Sequence, residues 1–279
     1  MSTVQISASD VNKLRQQTGA GMMDCKKALV EAKGNFEDAV DYLRKKGAKV
    51  AANRQDRESN EGLVLAKTSV DGKRGVVVEV NCETDFVAKN DEFVAFAESI
   101  LNLAAQEHPS SVEALKLLTI NNVSVADLII EQTGKTGEKV EVSTYEFIEA
   151  EKVVAYVHSN YRLAVLVGLS ADTEGVEDAG RDVAMQIAAM NPTAIDKDGV
   201  DATLVERELE IAKEQIRAEG KPEAMIEKIA QGKLNKFYKE NTLLNQEFVK
   251  DSSKNISQFL DSVSKGLTVT AFKRVQLGA

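Results

Sequence analysis

Residues 63–80, which read LVLAKTSVDGKRGVVVEV, contain the pattern that decides the fold class. Apolar side chains recur at every second position on both sides of Asp71-Gly72. Such alternation is typical of strands with one buried face. Asp-Gly favours a tight turn between strands, because glycine adopts positive φ without a steric penalty. The stretch therefore predicts an antiparallel β-hairpin whose inward positions are Leu63, Leu65, Val76, Val78 and Val80.

A helix and a closing strand follow this hairpin. Apolar residues recur at helical spacing between residues 93 and 104, and residues 140–148 have the composition of a strand. The order of hairpin, helix and strand then occurs a second time. We therefore predict an α+β fold with a duplicated core of antiparallel sheets covered by helices. The elements of the second copy are hairpin strands at 153–158 and 163–168, a helix within 176–188 and a strand at 268–275.

Two further regions complete the predicted architecture. Within 203–240, two amphipathic stripes flank Gly220-Lys221-Pro222, which predicts an inserted antiparallel coiled-coil hairpin. Before the core, three short helical patterns end at Gly19, Gly34 and Gly47, and Ser7 with Asp10 has capping-box spacing. The predicted domains are a three-helix N-domain (1–48), a linker (49–61), and the two core halves (62–152 and 153–279).

Composition and charge restrict the class of function. The chain has 279 residues and a formal net charge of −9, which disfavours direct binding to a nucleic-acid backbone. Its longest apolar run is too short to cross a bilayer, and the N-terminus lacks a leader-like pattern. We expect a cytoplasmic protein that binds neither nucleic acid nor membrane. Cys25 and Cys82 are interpreted as reduced, packed thiols.

The usual signatures of an enzyme are missing from the sequence. It contains no phosphate-binding glycine motif, HExxH, CxxC or nucleophile elbow. We expect no enzymatic activity, no cofactor and no metal. His108 is interpreted as a solvated loop residue, and His158, at a strand end, is interpreted equally well as structural or functional. The enzymatic alternative is a Mg²⁺-dependent hydrolase that uses an acidic cluster, with Glu79 on the solvent side of its strand: Glu79, Glu83, Asp85 and Asp91.

Within residues 81–90, NCETDFVAKN, Phe86 and Val87 belong to neither neighbouring periodicity. Phe86 follows the alternating strand and precedes the helical stripe. The pattern alone favours Phe86 packing beneath the start of the helix, with Thr84 or Asp85 as the cap. The alternative is an exposed aromatic side chain that binds a partner, because aromatic residues concentrate binding energy at interfaces. A similar choice arises at Met22-Met23, since adjacent helical residues do not share one face.

Two long stretches resemble the elongation factor Ts family. They are VNKLRQQTGAGMMDCKKAL at residues 11–29 and EVNCETDFVA at residues 79–88, and the similarity continues through 188–192 and 248–251. The resemblance implies a ubiquitin-associated-like N-domain, a two-part α+β core and a protruding coiled coil. It implies a non-enzymatic role in protein biosynthesis, in which the chain binds elongation factor Tu in its GDP-bound and nucleotide-free forms and promotes GDP release.

The resemblance also assigns residues to the partner interface. Thr84, Asp85, Phe86 and Val87 would enter the GTPase domain of elongation factor Tu and dislocate its Mg²⁺. The N-domain would contribute Leu14, Met22 and Met23, and His158 is an additional candidate.

Two departures from the family pattern affect what is carried over. A glycine-containing turn that often follows the histidine is replaced by Ser159-Asn160-Tyr161, and the chain ends soon after its last strand, so we expect a smaller interface. A ubiquitin-associated-type binding adaptor without exchange activity is the alternative function.

Overall fold

The computed structural model describes residues 5–278. The N-terminal part of the chain forms a group of three helices. They are α1 (Ala8–Thr18), α2 (Met22–Glu31) and α3 (Phe36–Asn53). Ser7 and Asp10 form the predicted capping box, in which each side chain binds the backbone of the other residue. Apolar side chains from all three helices share one small core. Its buried members are Val11, Leu14, Ala20, Cys25, Ala28, Leu29 and Ala39.

Helix α3 continues past the residue at which the sequence predicts its end. Gly47 lies inside the helix and is buried, and the helix ends only at Asn53, so the first five residues of the predicted linker are helical. The prediction that α3 ends at Gly47 is wrong because this glycine serves close packing. It faces Gly134 in the later helix α7 (Val125–Thr136), and the two backbones are in contact there.

The predicted hairpin forms the first sheet. Strand β1 (Glu61–Thr68) pairs antiparallel with β2 (Arg74–Cys82), with Leu63 opposite Val80 and Leu65 opposite Val78. Four helices and one small hairpin separate β2 from its second neighbour in the sheet. These elements are α4 (Asp85–Ala88), α5 (Asp91–Glu107), α6 (Val112–Leu117), the small hairpin β3 (Thr119–Ile120) and β4 (Val123–Ser124), and α7. Strand β5 (Glu141–Glu149) then closes the sheet in the order β1-β2-β5.

The second sheet has the same connectivity as the first. Strands β6 (Lys152–Val157) and β7 (Leu163–Leu169) form a hairpin, and helix α8 (Val176–Met190) packs on it. The final strand, β10 (Val269–Gln276), pairs antiparallel with β7. In both sheets, the late strand joins the second strand of the hairpin. An α+β fold with small antiparallel sheets is confirmed.

The two sheets pack against each other, so β2 has no solvent face. Its second face contributes Val77 to an apolar layer that also contains Val153 and Leu166 of the other sheet. Glu79 is consequently buried, although the sequence predicts it on the solvent side. That prediction is wrong because it assumes a sheet covered on one face only. The Glu79 carboxylate instead accepts hydrogen bonds from Asn81 (2.9 Å) and Thr144 (3.0 Å).

The insertion consists of two antiparallel helices. They are α9 (Ala202–Ala218) and α10 (Glu223–Asn241), and Ala212, Ile216 and Ile226 are buried between them. Three elements that no sequence pattern predicts then lead to β10. They are β8 (Glu247–Phe248), β9 (Asp251–Asn255) and α11 (Ile256–Val263).

No helix within residues 5–278 is both long and apolar enough to cross a membrane. Residues 1–4, on which the prediction about a leader partly depends, lie outside the described residues. Residue 279, the last of the second predicted core half, also lies outside them.

Candidate functional site

The segment between β2 and α5 folds as one isolated helical turn, α4. Thr84 is extended and caps it: its Oγ1 accepts a hydrogen bond from the backbone N–H of Val87 at 3.5 Å. Asn90 then caps α5 through its side-chain oxygen. Thr84 and Asn90 are N-caps six residues apart, and an N-cap residue adopts an extended backbone conformation. The segment therefore forms two separate helices instead of one continuous helix. The sequence prediction that Thr84 or Asp85 caps a helix is confirmed for Thr84.

This turn projects one aromatic side chain into solvent. Phe86 is 84% exposed. Val87 packs against the apolar core between the first sheet and α5, and Ala88 is buried in that core. The interpretation favoured by the pattern alone, in which Phe86 packs beneath the helix start, is wrong. On a single turn, Val87 and Ala88 occupy the inward direction, so the adjacent Phe86 faces outward.

Asp85 lies beside Phe86 and keeps its charge. Its carboxylate accepts a hydrogen bond from the Lys89 ammonium at 2.7 Å. This bond and the lysine charge hold the pKa of Asp85 below its usual value. The turn therefore presents an exposed benzyl group next to an ionised carboxylate, a combination suited to entering a partner at a site that holds cations.

Two carboxylates hold the base of α4: Glu83, which belongs to the acidic cluster in the sequence, and Glu138, which no sequence pattern selects. Glu138, in the loop between α7 and β5, accepts hydrogen bonds from the residues that precede the turn. Glu83 accepts a hydrogen bond from Arg54, which follows α3, at 2.7 Å. Burial raises the pKa of Glu83, but its hydrogen bonds and Arg54 outweigh that effect and lower it overall. No periodicity could reveal Glu138, because it lies more than 50 residues from the turn.

Cys82 lies directly beneath this network. Its Sγ donates to the carbonyl oxygen of Thr84 at 3.2 Å, and burial together with the Glu138 charge raises its pKa to about 12. Cys25, in the N-terminal core, is also a buried free thiol with a raised pKa, which burial causes. The interpretation of both cysteines as reduced, packed thiols is confirmed.

The three predicted N-domain contact residues separate into two environments. Met22 and Met23 are 55% and 74% exposed at the start of α2. Leu14 is fully buried between the helices. The prediction that Leu14 contacts a partner is therefore corrected: the residue faces inward on α1 and supports the surface that the methionines form.

His158 lies apart from the turn, in the second sheet. It follows β6, is exposed, and its Nδ1 is 2.9 Å from the hydroxyl of Tyr156. Its backbone N–H binds the carbonyl of Leu163 and closes the β6–β7 connection. The backbone of His158 thus closes a hairpin end, while its imidazole lies exposed beside Tyr156.

The acidic residues of the hydrolase alternative are not assembled as one ligand set. Glu79 binds Asn81 and Thr144, Glu83 binds Arg54, and Asp85 binds Lys89. Within residues 5–278, no group of three or more His, Cys, Asp or Glu residues is placed to hold a metal ion.

Comparison with known proteins identifies the family that this architecture represents. A family model described as "Elongation factor TS" matches residues 83–279. The chain belongs to the elongation factor Ts family.

Full-length relatives give the same result. The chain is 56% identical to elongation factor Ts of Cytophaga hutchinsonii over 275 residues and 54% identical to that of Amoebophilus asiaticus over 275 residues. It is 53% identical to that of Flavobacterium psychrophilum over 273 residues. Each comparison covers 98% of this chain and 99% of the relative. Membership of the elongation factor Ts family gives the chain a role in translation elongation during protein biosynthesis.

Proposed function

We propose that the chain is a guanine nucleotide exchange factor for elongation factor Tu. The observation that carries the proposal is the exposure of Phe86 on a short turn whose base is fixed by hydrogen bonds. Because the backbone of the turn is already ordered, binding through Phe86 costs little additional conformational entropy of the chain. Family membership supports elongation factor Tu as the partner, and Phe86 and Asp85 would supply the chemistry of the contact.

The proposed mechanism is displacement of Mg²⁺ from the partner. Mg²⁺ offsets repulsion between the phosphate oxygens of GDP and nearby carboxylates. If Phe86 and Asp85 move the elements that hold this ion, both the ion and GDP bind less tightly. The factor makes and breaks no covalent bond, so it accelerates exchange without the active site of an enzyme.

Reciprocal coupling determines the order of events. A factor that lowers the affinity of elongation factor Tu for GDP must itself bind the nucleotide-free form more tightly than the GDP form. Entry of GTP then releases the factor. The proposal includes both partner states, a cytoplasmic location, and an exchange cycle that uses no cofactor of the chain's own.

The finer architecture is also part of the proposal. We assign a ubiquitin-associated-like N-domain to α1–α3, a duplicated core to the two matching sheets, and a coiled-coil hairpin to α9–α10. The exposed Met22 and Met23 would contact the GTPase domain of the partner, since methionine adapts to irregular surfaces. Thr84 and Val87 would act mainly by fixing α4, because both are partly buried.

The test is release of labelled GDP from elongation factor Tu, measured with and without a molar excess of the chain. Accelerated release supports exchange activity. Unchanged release, with complex formation demonstrated in the same samples, would favour the binding adaptor, for which the exposed methionines are the supporting observation. Unchanged release without a complex would overturn the exchange proposal and the choice of elongation factor Tu as the partner.

A double variant tests the assigned residues. Asp85→Ala with Phe86→Ala should abolish most of the acceleration while circular dichroism remains that of the unaltered chain. An unchanged exchange rate in a folded double variant would contradict the assignment of these residues.

A further inference from the structure

Glu138 occupies a defined position next to the base of α4. Helix α7 ends at Thr136, and Gly137 adopts the left-handed conformation (φ 71°) that redirects the chain. The backbone N–H of Glu138 then donates to Oγ1 of Thr136 at 3.2 Å. These local interactions orient the carboxylate of Glu138 toward the segment that joins β2 to α4.

The Glu138 carboxylate accepts three hydrogen bonds from that segment. The backbone N–H groups of Glu83 and Thr84 donate to Oε2 at 3.1 and 3.0 Å, and the Thr84 hydroxyl donates to Oε1 at 2.6 Å. Thr84 Oγ1 is also the acceptor that caps α4. A single carboxylate is therefore connected through one hydroxyl to the turn that carries Phe86.

A second carboxylate completes the connection in the opposite direction. Glu83 Oε1 accepts from the backbone N–H of Lys139 at 2.6 Å, and Nη1 of Arg54 lies 2.7 Å from both Glu83 oxygens. Each loop thus contributes a glutamate that binds the backbone of the other loop. We call Glu83 and Glu138, with the groups they bind, the carboxylate clamp.

The turn needs such support because it is very short. α4 contains four residues, and a helix of that length is unstable on its own in water. Its inward side chains, Val87 and Ala88, fix one side only. Hydrogen bonds to a charged acceptor are stronger than those between neutral groups. Removal of the Glu138 carboxylate would leave the backbone N–H groups of Glu83 and Thr84 without their acceptor.

We propose that Glu138 is a positioning residue for nucleotide exchange, which holds Thr84 and thereby keeps Phe86 in the orientation that enters the partner. The inference rests on the proposed exchange function. Glu138 need not touch the partner: it acts through Thr84 and the backbone of α4. Glu83, through Lys139 and Arg54, keeps the loop of Glu138 in place.

The experiment compares variants of equal size. Glu138→Gln preserves the shape but replaces one acceptor oxygen with an NH₂ group, which opposes the donors of Glu83 and Thr84. Glu98→Gln, at an exposed position on α5, makes the same charge change away from the clamp. Thr84→Val replaces the hydroxyl with a methyl group at nearly constant size, and Thr84→Ser keeps the hydroxyl but removes the methyl group.

Two measurements are made on each variant. Hydrogen exchange followed by NMR reports the protection of the backbone amides of residues 83 and 84. GDP release from elongation factor Tu, titrated to saturating factor, separates the maximal rate from the half-saturating concentration. We expect Glu138→Gln and Thr84→Val to lose about tenfold in both amide protection and maximal rate, as the removal of a charge-assisted hydrogen bond predicts. Glu98→Gln should retain both. Thr84→Ser, which keeps the hydroxyl, should recover amide protection and maximal rate relative to Thr84→Val.

Each outcome decides the proposal. Unchanged amide protection in Glu138→Gln, or reduced protection with an unchanged maximal rate, would overturn it. Should Glu138→Gln fail to fold, a Thr84→Val variant as active as Thr84→Ser would overturn it instead. If the unaltered chain does not accelerate GDP release, the proposed function fails, and amide protection alone then decides whether Glu138 holds the turn.

Discussion

Gly47 of α3 and Gly134 of α7 bring two helices into backbone contact. A Cβ built on Gly134 would lie 2.8 Å from the Cα of Gly47, which is closer than such atoms approach in proteins. This contact joins the N-terminal helices to the first half of the core. It also fixes the two helix ends that lead to Arg54 and Glu138, so the packing of α3 on α7 supports the loops beside α4.

Gly134→Ala should destabilise the protein. Alanine is favoured over glycine in a helix by about 1 kcal/mol. The collision with backbone atoms of Gly47 should cost more, because overpacking costs about 1–3 kcal/mol and no flexible side chain can move away. We expect a net loss of about 1 kcal/mol in the free energy of unfolding, measured in urea.

Gly232→Ala is the matched control for Gly134→Ala. Gly232 lies inside α10, and a Cβ there meets nothing within 4 Å. The same substitution should therefore stabilise the protein or leave it unchanged. Equal stabilisation by both substitutions would contradict the close contact between α3 and α7.

Phe86→Ala should impair exchange without affecting stability. The side chain is exposed, so its removal leaves no cavity. Aromatic anchors at interfaces contribute about 2 kcal/mol or more, which corresponds to roughly a 30-fold weaker complex with elongation factor Tu. Titration calorimetry and thermal unfolding measure the two effects. Leu117→Ala removes another side chain that is 78% exposed, and it should change neither quantity. A similar loss of affinity in both variants would indicate a nonspecific apolar effect.

Leu14 and the two methionines should respond differently to truncation. Leu14→Ala opens a cavity in the three-helix core and should cost about 2–5 kcal/mol of stability in those helices. Met22→Ala with Met23→Ala should leave thermal unfolding nearly unchanged, because both side chains are exposed, while weakening the complex with elongation factor Tu. A stable Leu14→Ala variant, or a strongly destabilised methionine pair, would contradict this division between core and surface.

Cys82 should resist thiol reagents in the native protein. Its pKa is raised to about 12 from about 8.5 for an unperturbed thiol, so at about pH 8 almost none of the reactive thiolate is present. Because the shift is upward, reactivity should begin only at a much higher pH than in the unfolded chain. A disulfide reagent added to a Cys25→Ser variant, with and without urea, measures the difference. Rapid reaction of the native variant at about pH 8 would show that the thiol is accessible.

The local sequence predicts several elements correctly, because backbone preference and one-sided burial act over only a few residues. Asp71-Gly72 and the flanking alternation predicted β1 and β2, and Ser7 with Asp10 predicted the start of α1. The stripe after Asn90 likewise predicted α5. In each case, backbone preference and one-sided burial indicate the same structure within a few residues.

The same reasoning failed where distant parts of the chain meet. The local sequence predicts a helix end at Gly47, yet this residue lies within α3, where α7 packs closely against it. The strand alternation predicts a solvent-facing Glu79, yet a second sheet covers that face of β2. Neither partner surface is visible in the residues near these positions.

By itself, the sequence determined the α+β class, the helical hairpin at α9–α10, and the membership of the elongation factor Ts family that its long motifs indicated. Only the tertiary structure decided the orientation of Phe86 and the parts that Glu138 and Arg54 play beside it. Local periodicity reports which side chains prefer burial, but a four-residue turn has no periodicity of its own. Its orientation is set by Val87 and Ala88 in the core and by a carboxylate from a distant loop.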